Sequence, residues 1–277
     1  MREKLKKLYI SFKEFPEVIL FSVMIFNIFF QKSDVKFRKK TKGTINILGN
    51  GPSAHVTYLM SREGNEKIMC LNYFALTNEF QNYRPESYAL LDSWFFLSGD
   101  EKNRSLMNVL NSVSWDMQLF IPAKYKNIMR KLISNKNINI KSLRVNHLPG
   151  DSRWVYGLYL KNLATPKFQN VVVACIYISL NRGFSKIKLH GVEASEFTNY
   201  TIDENNDVLL ETQHSYGNEI RNMSKEGLIK KGEFWRHLSY YALMLKGFSQ
   251  VSAYAKYMDS KIYNYTKGSY IDSFEKK

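Results

Sequence analysis

Five consecutive residues, Gly49, Asn50, Gly51, Pro52 and Ser53, have the types and order of a loop that can receive an anion. Two glycines permit positive φ and close backbone approach, Pro52 suits the first position of a helix, and Ser53 can cap it. The N–H groups that follow would point out of a helix N-terminus, which is a geometry that binds phosphate; a plain tight turn is the other use of the same residues. The loop is not the dinucleotide fingerprint, because Ala54 stands where a third glycine is needed. Met69, Cys70 and Asn72 also stand where an acidic ribose ligand would be. No Gly-Lys-Ser/Thr follows, so it is not a triphosphate P-loop either.

The histidines, at 55, 147, 190, 214 and 237, show no metal-ligand spacing. Cys70 and Cys175 are isolated within apolar runs and read as buried thiols, so neither a zinc site nor a disulfide framework is expected. His214 stands apart from the other four because TQHSYG is a polar loop rather than an apolar face, and a histidine near neutral pKa suits proton abstraction. His237, inside EFWRHLSYYALML, reads as helix packing. His190 precedes Gly191 at a strand end and reads as packing, with lining the site as its alternative.

These residues need a scaffold, and from Thr44 onward strands alternate with helices. Strands are expected at Ile45–Leu48, in KIMCLNYF, ESYALLDSWFF and MQLFIPAKY, at Lys186–Leu189 and in KIYNYTKGSYIDSF. Helices are expected from Ser53, over Glu101–Val113 and Lys124–Asn135, in the apolar NVVVACIYISLNRGF ended by Gly183, and over Glu233–Tyr257. Residues 146–169 read as loop, and 195–232 as polar and irregular. This alternation predicts an α/β domain over 44–277, a mainly parallel sheet with helices on both faces. Ligands of such sheets sit beyond the carboxyl ends of the strands, which singles out Gly49–Ser53, Asn72, Asp92, Gly191–Glu193 and Thr266–Ser269.

ILGNGPS after a basic leader, then CLNYF, ALLDS, NVVVACIYISLNRGFSKIKLHGVEAS and KIYNYTKGSYIDSF occur in the order seen in family 42 glycosyltransferases, the bacterial sialyltransferases of lipooligosaccharide synthesis. In these blocks the chain resembles that family over residues 44–277. The resemblance implies a Rossmann-like (GT-A-like) domain that uses no metal or other cofactor. It further implies an inverting transfer of a sugar from a CMP-activated donor to a bacterial surface glycan: lipooligosaccharide, O-antigen or capsule. It sets Gly49, Asn50, Gly51, Pro52 and Ser53 against the nucleotide and matches Asn72 to the family's Asn. Asp92 falls where the family has an Asn that contacts the donor, and Lys167 and Asn170 fall where it has an Arg and a Ser near the sugar. Ser195 falls on one of two Tyr residues that hold the leaving phosphate, and Tyr200 falls near the other; Ser269, in the terminal block, is placed with the donor-binding groups. One alignment makes His214 the general base, with Tyr216 beside it, and another puts Asn218 there. Asp92 and Ser195 depart from the family pattern and point to an altered donor or acceptor choice.

The 277 residues carry 40 Lys and Arg against 25 Asp and Glu, a net charge of +15 that attracts anionic partners. Residues 1–43 hold eleven of these cations against four acids, around the apolar run Val18–Phe30. That run is too short to span a bilayer as a helix and lacks a cleavage site, so the leader reads as a basic and apolar helical segment lying on an anionic membrane surface. A helix packed on the main domain is the alternative. The expected location is cytoplasmic, peripheral on the inner face of the cell membrane, with a nucleotide-sugar donor and a glycan acceptor, lipid-linked acceptors included, as partners. No nucleic-acid motif is present, and a nucleic-acid partner is not expected. A non-catalytic nucleotide-binding or assembly protein, or a basic nucleic-acid-binding protein, is the rival reading, and the oligomeric state is left open.

Overall fold

The structure is a computed structural model that describes residues 33–35, 43–214 and 217–277, with the backbone path alone over 212–219. The leader expected over 1–43 lies outside these residues, apart from Ser33–Val35 and Gly43.

Eight strands form one sheet in which every neighbouring pair is parallel. They are β1 (Thr44–Leu48), β2 (Lys67–Leu71), β3 (Ser87–Ala89), β4 (Met117–Pro122), β5 (Ile138–Leu143), β6 (Lys186–His190), β10 (Lys261–Asn264) and β11 (Glu275–Lys276). Their order is β11-β10-β6-β1-β2-β3-β4-β5. The chain winds outward from β1 to β5 and then returns to lay β6 on the other side of β1, with Leu48 opposite His190. The topological switch point therefore falls between β1 and β6.

Alternating strand residues bury opposite faces of the sheet. Ile45, Ile47, Met69, Leu71, Ile187 and Leu189 pack with α6 (Arg153–Leu160), α7 (Val171–Asn181) and α8 (Phe234–Tyr257). Leu48, Ile68, Cys70, Leu119 and Ile121 pack with α1 (Ala54–Ser61), α2 (Glu79–Tyr83), α3 (Trp94–Leu97), α4 (Glu101–Asn111) and α5 (Lys126–Leu132). Burial on both faces is why these strands read as near-continuous apolar runs. The α7 helix follows the same logic: Val172 through Asn181 are all buried, and the helix ends at Gly183, whose φ of +92° suits glycine. Cys70 and Cys175 are buried free thiols, and burial raises the pKa of both.

Three regions depart from the expected pattern. β5 (INIKSL) was masked by its polar residues, which an edge strand tolerates; the backbone N–H of Asp34 and the hydroxyl of Ser33 bond to its Ser142 carbonyl and cover that edge. The helix α6 lies where Pro149, Gly150 and Gly157 suggested a loop. Residues 195–232, expected to be irregular, contain a small antiparallel sheet of β7 (Tyr200–Ile202), β8 (Val208–His214) and β9 (Gly217–Asn222). Among the described residues it rests on a small cluster of buried Val208, Met223 and Ile229 with Tyr200, Leu210 and Phe234 packed against them, too few apolar residues to mark it in the sequence. Among the described residues, no helix is long and apolar enough to cross a membrane.

Candidate functional site

The Gly49–Ser53 turn sits at the switch point, packed against the loop that follows β6. The Gly49 N–H donates to the His190 carbonyl (2.8 Å), the Gly51 N–H to the Gly191 carbonyl (3.0 Å), and the Ala54 N–H to the Gly51 carbonyl (3.1 Å). A Cβ on Gly49 would strike the Gly191 carbonyl oxygen, and one on Gly191, itself at φ +63°, would strike Ala54. The glycines thus serve backbone-on-backbone packing. Ser53 does not cap α1 as expected: its side chain makes no capping bond, and its N–H (3.2 Å) and hydroxyl (2.6 Å) both go to Oε1 of Glu193. The protein's own carboxylate occupies the helix N-terminus where the sequence suggested phosphate. Asn50 and Pro52 are exposed at the turn's rim.

Behind the turn, His190 is fully buried and bonded through Nε2 to Asn46 (3.0 Å), whose amide reaches Glu66 (2.9 Å). Glu66 in turn holds the buried Lys188 at 2.9 Å. Burial, together with the Lys188 charge, pushes His190 down to about 3, so it is neutral. It supports the fold and does not line the site. Ser269 is buried too: its hydroxyl donates to the Val192 carbonyl (2.7 Å) and accepts from Asn264 (2.9 Å). These bonds make it a brace between the post-β6 loop and the C-terminal segment.

A cleft of about 690 Å³ opens beside the turn at the carboxyl ends of β2 to β5, lined among others by Asn72, Asp92, Lys124, His147, Phe168 and Asn170. Three of the expected sugar-site residues thus converge from positions 72, 92 and 170. Asn72 follows β2 at φ +50°, a conformation asparagine tolerates better than most residues. The Tyr88 hydroxyl donates to its carbonyl (2.5 Å) and fixes it there, while its side-chain Oδ1 is buried without a hydrogen-bond partner. Such an acceptor costs about 1–3 kcal/mol unless a ligand fills it. Asp92 accepts from the Trp94 N–H at 2.9 Å, and Asn170 caps α7 by accepting from Val172 at 2.8 Å. Lys167 stands close enough to His147 to help hold its pKa down, although burial is the larger cause. A larger cavity, about 870 Å³, lies at the opposite edge of the sheet, but its Glu66, Lys67, Glu86 and Arg182 are engaged in ion pairs within the protein.

Tyr200 joins a second cluster. Its hydroxyl meets His237 Nε2 at 2.7 Å and the Tyr241 hydroxyl at 3.3 Å, and Tyr241 donates to Glu196 at 3.3 Å. Ser195 lies next to this chain of groups; its carbonyl accepts from the Thr198 N–H (2.9 Å) and hydroxyl (2.7 Å). His237 is half-buried, and desolvation lowers its pKa against the weaker pull of Glu196. No local sequence signal reveals the Tyr200 contact, because Tyr200 is 37 residues away. On α8 His237 stands two turns from Met244, whose sulfur accepts from the Asn170 amide at 3.5 Å. His214 ends β8 opposite Gly217; its side chain, Tyr216 and the side chain of Asn218 lie outside what is described. Among the described residues, no three His, Cys, Asp or Glu side chains converge as a metal cage would require.

The fold is similar to that in the structure of MAf glycosyltransferase from Magnetospirillum magneticum AMB-1, at a TM-score of 0.50 and 13% identity. The likeness is one of fold, a Rossmann-like α/β sheet. The match covers 89% of this chain and 35% of the other, so the chain spans about a third of that protein's length. Weaker likenesses link it to the sialyltransferase CstII from Campylobacter jejuni in complex with cytidine-5'-monophosphate (TM-score 0.38) and with CMP-3FNeuAc (TM-score 0.43). Each is 12% identical and covers 84% of both chains. No protein-family model matches the chain, and no curated protein matches its sequence.

Proposed function

We propose that the chain is a metal-independent, inverting glycosyltransferase that moves a sugar from a CMP-activated donor to a bacterial surface glycan. The observation that carries this reading is the cleft at the carboxyl edge of the sheet, where the orphaned Oδ1 of Asn72 is set to accept from a sugar hydroxyl or amide. The sugar fits between Asn72, Asp92 and Asn170, with the nucleotide extending toward the exposed Asn50. Asp92 on the wall would repel a donor carboxylate, so a neutral or amino sugar suits this cleft better than sialic acid.

The Tyr200–His237 pair supplies the proton chemistry. With Nε2 protonated and donating to Tyr200, Nδ1 keeps its lone pair and can take the proton of the acceptor hydroxyl. As that oxygen attacks the anomeric carbon, the bond to phosphate breaks and the leaving nucleotide gains one negative charge. The Tyr200 hydroxyl, which accepts from His237 and keeps its own proton, would donate to that phosphate and stabilise the charge. Desolvation of His237 keeps it neutral, and so able to accept a proton, at pH 7. His214 is the competing base.

Thermal shift against nucleotide sugars tests the donor: stabilisation by CMP over UDP and GDP is expected, and a preference for NAD would overturn the reading. In transfer assays with any donor so identified, His237→Ala is expected to lower kcat by about 10²–10⁴-fold. Loss with His214→Ala alone would move the base to β8.

A further inference from the structure

The cleft holds a histidine that the proton chemistry of Tyr200 and His237 leaves unused. His147 follows β5, and the backbone on either side of it is pinned to Thr165: the Thr165 N–H donates to the Asn146 carbonyl (2.7 Å), and the Leu148 N–H to the Thr165 carbonyl (2.9 Å). The imidazole is fixed as firmly. Its Nδ1 meets the Pro166 carbonyl at 2.8 Å, and the ring stands edge-on to Phe168 with centroids 5.4 Å apart. A carbonyl oxygen can only accept, so Nδ1 carries the proton; the Thr165 hydroxyl, at 3.3 Å, is a second and longer contact.

The charge state follows from the concave setting. His147 is open to the cleft, yet enough protein surrounds it that desolvation lowers its pKa below the ordinary 6.5. Lys167 pushes the same way, as does Lys124 on the cleft wall; the Pro166 carbonyl and the Asp92 carboxylate favour the charged form without reversing the shift. A neutral imidazole with its proton on Nδ1 presents a lone pair at Nε2, and no group among the described residues donates to it. Nε2 lies on the side of the ring away from Pro166, toward the open cleft. Two further acceptors stand there unfilled: the buried Oδ1 of Asn72, and Oδ2 of Asp92, whose Oδ1 is spent on the Trp94 N–H. Unfilled acceptors on three residues ask for a ligand that carries donors. We propose that His147 is a specificity-determining residue whose Nε2 accepts a hydrogen bond from a hydroxyl or amino group of the sugar. This rests on the reading of the cleft as the sugar site, and it gives His147 recognition while proton transfer stays with His237.

The test uses the full chain, isotope-labelled at the histidine nitrogens, with CMP, UDP and GDP and one conjugate of each: CMP-N-acetylneuraminic acid, UDP-N-acetylglucosamine and GDP-mannose. In the free protein at pH 7, long-range proton–nitrogen spectra should show His147 protonated at Nδ1 and bare at Nε2. The Nε2 resonance should move with a conjugate that binds and stay in place with its bare nucleotide. In calorimetry, His147→Ala should weaken that conjugate about ten-fold and leave the bare nucleotide unchanged. His147→Gln sets an amide oxygen near the Nε2 position and does not titrate. It should restore most of the affinity and abolish the loss that the unsubstituted protein shows as pH falls below 6.5, where protonation turns Nε2 into a donor. A proton on Nε2 in the free protein at pH 7 would overturn the proposal, whatever ligand binds. So would an unchanged conjugate affinity in His147→Ala, or an equal loss for conjugate and nucleotide, which makes the residue structural. A His147 effect confined to the UDP or GDP conjugate would remove the CMP donor and keep this site, whereas a CMP conjugate indifferent to His147 would do the reverse.

Discussion

The Gly49–Ser53 turn and the neighbouring cleft share one edge of the sheet, yet they spend their polar groups in opposite ways. In the turn, the N–H groups of Gly49, Gly51, Ser53 and Ala54 all find partners within the protein, and Glu193 holds the helix N-terminus. In the cleft, Asn72 is held by Tyr88 with its side-chain oxygen unfilled. A glycine-rich turn at a switch point is therefore not by itself a phosphate cradle. Here it is the joint that lets the loops after β1 and β6 touch, and the unmet demand for a ligand lies beside it.

This contrast can be broken at its foundation first. His190 lies directly under the turn and is held neutral, whereas in the unfolded chain it titrates near 6.5. Its folded pKa is depressed, so the stability it carries is fully present above pH 6.5 and is lost as pH falls from there toward about 3. Denaturant titrations should show a slope of up to about 1.4 kcal/mol per pH unit across that window, and His190→Gln should flatten it. An unchanged slope in that variant would mean that other groups govern acid unfolding.

Next in size is Gly49→Ala. The added methyl meets a backbone oxygen that cannot rotate away, and a loss of about 3 kcal/mol in equilibrium unfolding is expected. A variant that kept its stability but lost nucleotide binding would restore the turn as a phosphate site. Asn72→Gly tests the other side, since glycine accepts positive φ and removes only the amide. Stability should be kept while kcat/KM for the donor falls about 10- to 100-fold. The smallest effect belongs to Glu193→Gln, which keeps an acceptor for Ser53 but removes the charge at the helix start. A loss of about 0.3–1 kcal/mol is expected, with no new affinity for inorganic phosphate in calorimetry. A gain of phosphate binding would show that the turn is an anion site masked by its own carboxylate.

Much of the scaffold was legible because two-sided burial writes continuous apolar runs. TINIL, KIMCL and KIKLH read directly as parallel strands, and VVVACIYISLN as a buried helix. INIKSL did not, since an edge strand need not be apolar on both faces, and the three-stranded sheet of 200–222 buries too little to leave a pattern. Of the site, the strand-end rule placed Asn72 and Asp92, and the family blocks placed Asn170. His237 was read as packing because nothing near it in sequence shows its partner.

The sequence by itself determined the parallel α/β sheet, the burial of both cysteines and the positions where strands give way to loops. These follow from local periodicity and from residues whose backbone preferences act over a few neighbours. Which polar groups are satisfied was decided only by the tertiary structure. Glu193 reaches Ser53 across 140 positions, and Tyr200 reaches His237 across 37. Hydrogen bonds depend on distance in space, and a chain that returns β6 to the side of β1 brings together groups that no sequence window contains.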